Sequence, residues 1–188
     1  MLVWNGTSIL VSVAMLATAT PATTALTPAE ARQSLIGRWE GKLEYRDYQA
    51  DRWFGLPVKV EVRDGGDGVT LIRTADYDDG PKTGNVRITT VTILAASGMA
   101  ETGATFRKGR EVELDTAKLS LDAVSTSRDN WTMIETSSGR DDDRPATLRL
   151  TTTRAGNKLV TLKEIDFSDD SKAEWLVRNR TTLERLSR

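Results

Sequence analysis

The chain has 188 residues, 26 of them Lys or Arg and 27 Asp or Glu, for a net charge of −1; it is long enough for one domain to bury a core without covalent staples and carries no global charge to attract nucleic acid or an anionic membrane surface. It contains no Cys and no His. Those absences exclude disulfides, thiolate metal sites, the usual zinc and haem ligand, and every Ser-His or Cys-His catalytic pair.

Met1 to Ala25 carry no charged side chain, and the apolar run Ile9 to Ala17 is followed by small residues. This predicts a signal peptide over residues 1–25, cleaved after Ala25 or alternatively after Ala19, although Lys and Arg are missing from its amino end. The run is shorter than the roughly 20 apolar residues a membrane span needs. No Cys is present to carry a lipid, so the mature domain, 26–188, is expected to be secreted or periplasmic, with no stable membrane anchor after signal removal.

Thr27-Pro28-Ala29-Glu30 presents an N-cap, Pro at the first helical position and Glu three residues after the cap, predicting a short helix to about Ser34. Gly37 ends it. From there Trp39, Leu43 and Tyr45 alternate with Glu40, Lys42 and Glu44, the period of a strand with one buried face. Further strands are expected at Leu56 to Arg63, Val69 to Tyr77, Asn85 to Leu94, Glu101 to Phe106 and Glu111 to Ala123. Four more follow at Asn130 to Thr136, Arg144 to Arg154, Lys158 to Phe167 and Ala173 to Leu183. The apolar phase slips in Asn85 to Leu94, and again after Leu114, which predicts a β-bulge in each strand. Gly- and Asp-rich turns of hairpin length separate the strands, and no long helical period occurs. The pattern predicts an all-β fold: an antiparallel up-and-down β-barrel of about ten strands, or a sandwich, preceded by a short N-terminal helix.

Candidate functional residues are few. Arg73 shares a strand face with Val69, Leu71 and Ala75, and Glu135 shares one with Trp131 and Met133. If those faces point inward, the charges need a partner or a ligand, and Arg73, Glu135, Trp131 and Met133 become candidate ligand-binding residues. If Thr70, Ile72 and Thr74 form the inner face instead, Arg73 is solvent-exposed. Trp53-Phe54 is placed near one rim, and Trp131 and Trp175 in the core. The Asp pairs and runs, such as Asp64 with Asp67 and Asp141 to Asp143, fall in turns, where Asp caps its own backbone. No phosphate loop, nucleophile elbow or metal-spaced cluster is present, so no catalytic or metal residue is assigned.

The helix, the Gly-x-Trp of Gly37 and Trp39 at the head of the first strand, and an Arg-rich last strand resemble the calycin group of lipocalins, fatty-acid-binding proteins and their relatives. That resemblance implies that Trp39 closes a barrel floor and that Arg178 or Arg180 packs across its ring. The opening Leu35 to Gly41 is similar to the Leu-x-Gly-x-Trp-x-Gly of nitrobindin-like haem barrels, and Leu183 to Arg188 resembles their ending. Those barrels ligate iron through a His near that ending, where this chain has Thr181-Thr182. The barrel is therefore carried over, and the haem cofactor is not. The expected function is to bind a small apolar or amphipathic ligand in the barrel interior, without catalysis. The alternative is a solid, ligand-free barrel acting as a protein-interaction module in the cell envelope. The two differ in whether the interior is hollow or filled.

Overall fold

The computed structural model of the chain describes residues 25–123, 125 and 127–187. The leader expected over 1–25 lies outside them, Ala25 excepted. Helix α1 spans Pro28–Gln33. Thr27 Oγ1 accepts the Glu30 N–H at 3.2 Å while the Glu30 carboxylate accepts the Thr27 N–H at 2.9 Å, so two donors that the helix itself leaves orphaned are satisfied reciprocally. The chain then reverses at Gly37, whose φ of 140° only Gly adopts without strain.

Ten strands follow: β1 (Gly37–Asp47), β2 (Arg52–Asp64), β3 (Thr70–Asp78), β4 (Asn85–Leu94) and β5 (Ala100–Arg107), then β6 (Glu113–Leu121), β7 (Asn130–Asp141), β8 (Arg144–Ala155), β9 (Lys158–Phe167) and β10 (Leu176–Arg185). One helical turn, α2 (Gly80–Thr83), occupies the connection expected as a plain turn. Each strand pairs antiparallel with the next, and β1 pairs with β10, so the meander closes into a barrel with no free edge strand. Trp39 lies opposite Arg185 and Tyr45 opposite Asn179 across this closing seam. Gly41 makes the seam possible: a Cβ there would stand 2.0 Å from the Thr182 carbonyl oxygen.

The two expected bulges are absent. Pairing of β4 with β3 and with β5 runs without a shift, and so does that of β6 with β5. The apolar pattern changes face while the backbone does not: Ile93 and Leu114 stand outside, 52% and 76% exposed, and Thr90, Thr92 and Asp115 point inward. Polar side chains are tolerated there because the interior is hollow. The register does shift in β10 against β9, between Val177 and Asn179, which makes Arg178 the extra residue.

The core gathers at one end. Trp39, Val58, Val60, Val62, Leu71 and Trp131 pack there with Ala31 of α1, and Leu35 and Ile36 lean against them. The helix thus stoppers the end at which β1 begins and β10 finishes.

Candidate ligand-binding cavity

The stopper is held by the carbonyls of Ser34, Leu35 and Ile36 and by the Ser34 hydroxyl. Trp39 Nε1 donates to Leu35 O at 2.8 Å, Trp131 Nε1 to Ser34 Oγ at 3.0 Å, and Arg154 to Ser34 O at 2.6 Å. Arg185 donates to Ser34 O and Ile36 O. The Trp39 ring, 1% exposed, carries the Arg154 guanidinium at 5.6 Å and that of Arg185 at 5.1 Å. Burial holds the Arg154 pKa below its usual value, and its ion pair with Asp129 at 2.6 Å works against that.

Trp39 and Gly37 therefore sit at a barrel floor, but Arg178 and Arg180 do not. In an antiparallel closure the head of the first strand meets the tail of the last, which brings Arg185 to Trp39 and leaves Arg178 and Arg180 toward the other end. Arg178 pairs with Asp141 and lies 5.7 Å from the Phe167 ring. Arg180 bonds Glu44 at 3.0 Å and covers Trp53 at 4.8 Å on the outer surface. The Glu44 carboxyl is held below its usual range, chiefly by the Lys42 ammonium and further by Arg180.

Over the floor opens a cavity of about 770 Å³. On β3 the inner face is Leu71, Arg73 and Tyr77, so Arg73 points into the cavity. Glu135 and Met133 line it from β7, Met133 at the core end, while Trp131 is buried in the floor and does not reach the cavity. Three of the four candidate ligand-binding residues thus share one space, and the fourth supports its base.

Arg32 of α1, which nothing in the sequence marks as interior, enters from below, 2% exposed. It donates to Glu101 at 2.8 Å, to Thr92 Oγ1 at 2.7 Å and to Val69 O at 3.1 Å. Burial raises the Glu101 pKa and Arg32 opposes the rise. Glu135, whose surroundings are protein except on the side open to the cavity, is pushed up to about 8, first by desolvation and then by the nearby Glu101; Asp115 adds to the rise, and Arg32 and Arg73 oppose it. Glu135 is therefore largely protonated at neutral pH. Among the described residues neither the Arg73 nor the Glu135 side chain makes a hydrogen bond or ion pair. A cation and a neutral acid, both able to donate, are left facing the same hollow.

The mouth lies at the opposite end, where the Tyr45 and Phe54 rings stack at 5.5 Å. The Trp53-Phe54 pair, expected before the second strand, lies within it, so Phe54 turns to the cavity and Trp53 outward. Trp175 is half-buried on the surface, beneath Arg149 at 3.8 Å, and not in the core. Turn aspartates do backbone work: Asp67 accepts from Val69 N, Thr70 N and Thr70 Oγ1, which lower its pKa to about 2.

No family model matches the chain, and no curated protein matches it. Among solved structures it is similar to Rv2717c from M. tuberculosis, with a TM-score of 0.58 and 13% identity over 87% of this chain and 100% of that one. A protein of unknown function from the DUF3598 family of Nostoc punctiforme aligns over 86% of this chain and 100% of that one, at 10% identity and a TM-score of 0.24. The first likeness shows the fold: a closed ten-strand antiparallel barrel.

Of Thr181-Thr182, which stand where the resemblance would put an iron-binding His, Thr181 faces the cavity. A threonine hydroxyl offers no imidazole nitrogen to an iron, so the residues at that position do not fit haem ligation.

Proposed function

We propose that this is a calycin-like barrel, secreted or periplasmic, that holds a small amphipathic molecule in its interior without acting on it chemically. One observation carries the proposal: the hollow is within the usual volume of ligand sites, and it exposes the Arg73 and Glu135 side chains, which among the described residues have no hydrogen-bond or ion-pair partner. A barrel evolved as a solid interaction module would fill that space with large side chains or pair those charges, since an unpaired polar group away from bulk water is costly. Tyr45 and Phe54 at the mouth supply an apolar entry.

Native mass spectrometry of the purified mature chain, with titration of 1-anilinonaphthalene-8-sulfonate, tests the proposal. Expected are a co-purifying small-molecule adduct or saturable fluorescence enhancement, both lost in a folded Thr181→Trp variant that fills the cavity. Absence of adduct and enhancement in the folded wild type, or enhancement that survives Thr181→Trp, would overturn it.

A further inference from the structure

The cavity has two walls of different chemistry. In a closed barrel of ten strands, each strand faces the one five places on, so β1 and β2 stand across from β6 and β7. Leu43 and Tyr45 on β1 and Phe54, Leu56 and Val60 on β2 make one wall, where the Tyr45 hydroxyl is the single polar group. The opposite wall begins with Asp115, Glu135 and Ser137. It continues one way round the barrel through Thr152, Thr161 and Thr181, with Lys163 and Asn179 nearer the mouth, and the other way through Thr105 on β5, Thr90 on β4 and Arg73 on β3, with Ile88, Met133 and Leu150 among them.

The polar groups are spread along the height of this wall and do not form a cap. Thr161 pairs with Thr152 on β8 and Thr181 on β10 as one tier, and Lys163 is in register with Leu150 and Asn179 as the next. A single-chain fatty acid needs one polar site and apolar surface everywhere else. Laid in this cavity, its chain would cover hydroxyls, an amide and an ammonium on most of the circumference and strip their water without replacing it. A molecule polar along one whole side and apolar along the other meets both walls.

Two further features narrow its chemistry. Among the described residues the Arg73 side chain has no hydrogen bond or ion pair and Lys163 pairs with Asp141 at 3.9 Å; Asp115 faces the same space, so an anionic group on the ligand is placed by Arg73 and Lys163 and kept away from Asp115. A rigid framework presents both faces at once with little ordering cost, whereas a flexible chain would lose rotamer freedom to do so. On the reading that the interior binds a ligand, we propose that its occupant is a fused-ring compound, apolar on one face and bearing several hydroxyl or carbonyl groups and one anionic group on the other, and not a single-chain lipid.

The test is competition against 1-anilinonaphthalene-8-sulfonate bound to the purified mature chain, with two carboxylate competitors below their aggregation concentrations. Cholate has a fused-ring body with hydroxyls on one face; palmitate has a chain. Expected is displacement by cholate at a concentration at least about tenfold lower than by palmitate. The near-isosteric Thr161→Val/Thr181→Val variant should weaken cholate about tenfold and leave palmitate within about twofold. Equal or tighter displacement by palmitate overturns the fused-ring inference and leaves interior binding standing. Absence of any bound probe sensitive to Thr181→Trp overturns both. Should the double variant fail to fold, the wild-type order of the two competitors decides.

Discussion

Replacing Glu135 by Gln should remove a pH dependence of stability that the cavity imposes. In the unfolded chain this carboxyl loses its proton near its ordinary 4.5; in the barrel it keeps it to about 8. Between those values the folded state binds more protons than the unfolded one, so stability is fully present below pH 4.5 and declines as pH rises toward 8, then levels off. At roughly 1.4 kcal/mol per pKa unit the whole shift amounts to on the order of 5 kcal/mol. The carboxyl faces a hollow large enough for water, which screens the charge, so about half of that is expected. Glu101, also raised by burial, adds a slope of the same sign, while Asp67, Asp76 and Asp169, held low by their bonds, act below pH 4 with the opposite sign. The wild-type minus variant difference isolates the cavity term. Urea unfolding at intervals from pH 5 to 8.5 should show the Glu135→Gln chain gaining about 2 to 3 kcal/mol relative to wild type across that range. Parallel curves would refute the placement of an isolated, partnerless carboxyl inside the barrel.

Trp39→Ala should cost about 3 to 5 kcal/mol in urea unfolding, because a fully buried ring, its N–H bond to Leu35 and the packing of Arg154 and Arg185 are lost together; a near-neutral result would undo the floor assignment. Arg32→Met should cost about 3 to 5 kcal/mol by leaving Glu101 buried without its partner. Adding Glu101→Gln should recover part of that, and strictly additive losses would show that the two do not interact.

The fold was legible because its determinants are local. Period-two alternation, Gly-Asp turns and the Thr27-Glu30 capping box each act within a few residues, and α1 and ten strands form at the segments those signals mark, with β2 starting four residues earlier than expected, β7 running five residues further and β10 starting three residues later. Phase was harder to read. In β4 and β6 the pattern predicts bulges only if apolar residues mark the inner face, and a hollow barrel inverts that rule in places: Thr90 and Asp115 point in while Ile93 and Leu114 point out. Arg73 could not be oriented by its own strand, since both faces carry apolar residues; pairing with β2 and β4 orients it. Arg154 and Arg185 were missed for a different reason. Their proximity to Trp39 depends on closure of β1 on β10, a contact between the two ends of the chain. The signal was available in principle, since antiparallel closure pairs the first strand's head with the last strand's tail, and Arg185 is the basic residue of that tail. Arg32 left no such trace, because a single Arg on a six-residue helix reads as solvent-facing until the helix is docked.

The interior hydroxyls bear on the proposed ligand. Thr-rich stretches in β4, β8 and β10 are accounted for by β-propensity as far as the backbone is concerned, and on the outer surface that account suffices. Inside, it does not. Thr90 bonds Thr105 at 3.3 Å and Thr152 bonds Thr161 at 3.1 Å, so neighbouring strands satisfy part of one another's polar capacity, and each hydroxyl retains a lone pair for a further partner. Valine has nearly the same shape and equal strand preference, and would stabilise the barrel more by burying apolar surface. A lining that keeps hydroxyls, an unpaired guanidinium and a raised carboxyl against a wall of Leu and aromatic side chains gives up stability in exchange for polar contacts that the protein itself does not use. On the proposed reading, the ligand that would use them turns its apolar side to β1 and β2 and its polar groups to the strands that carry these side chains.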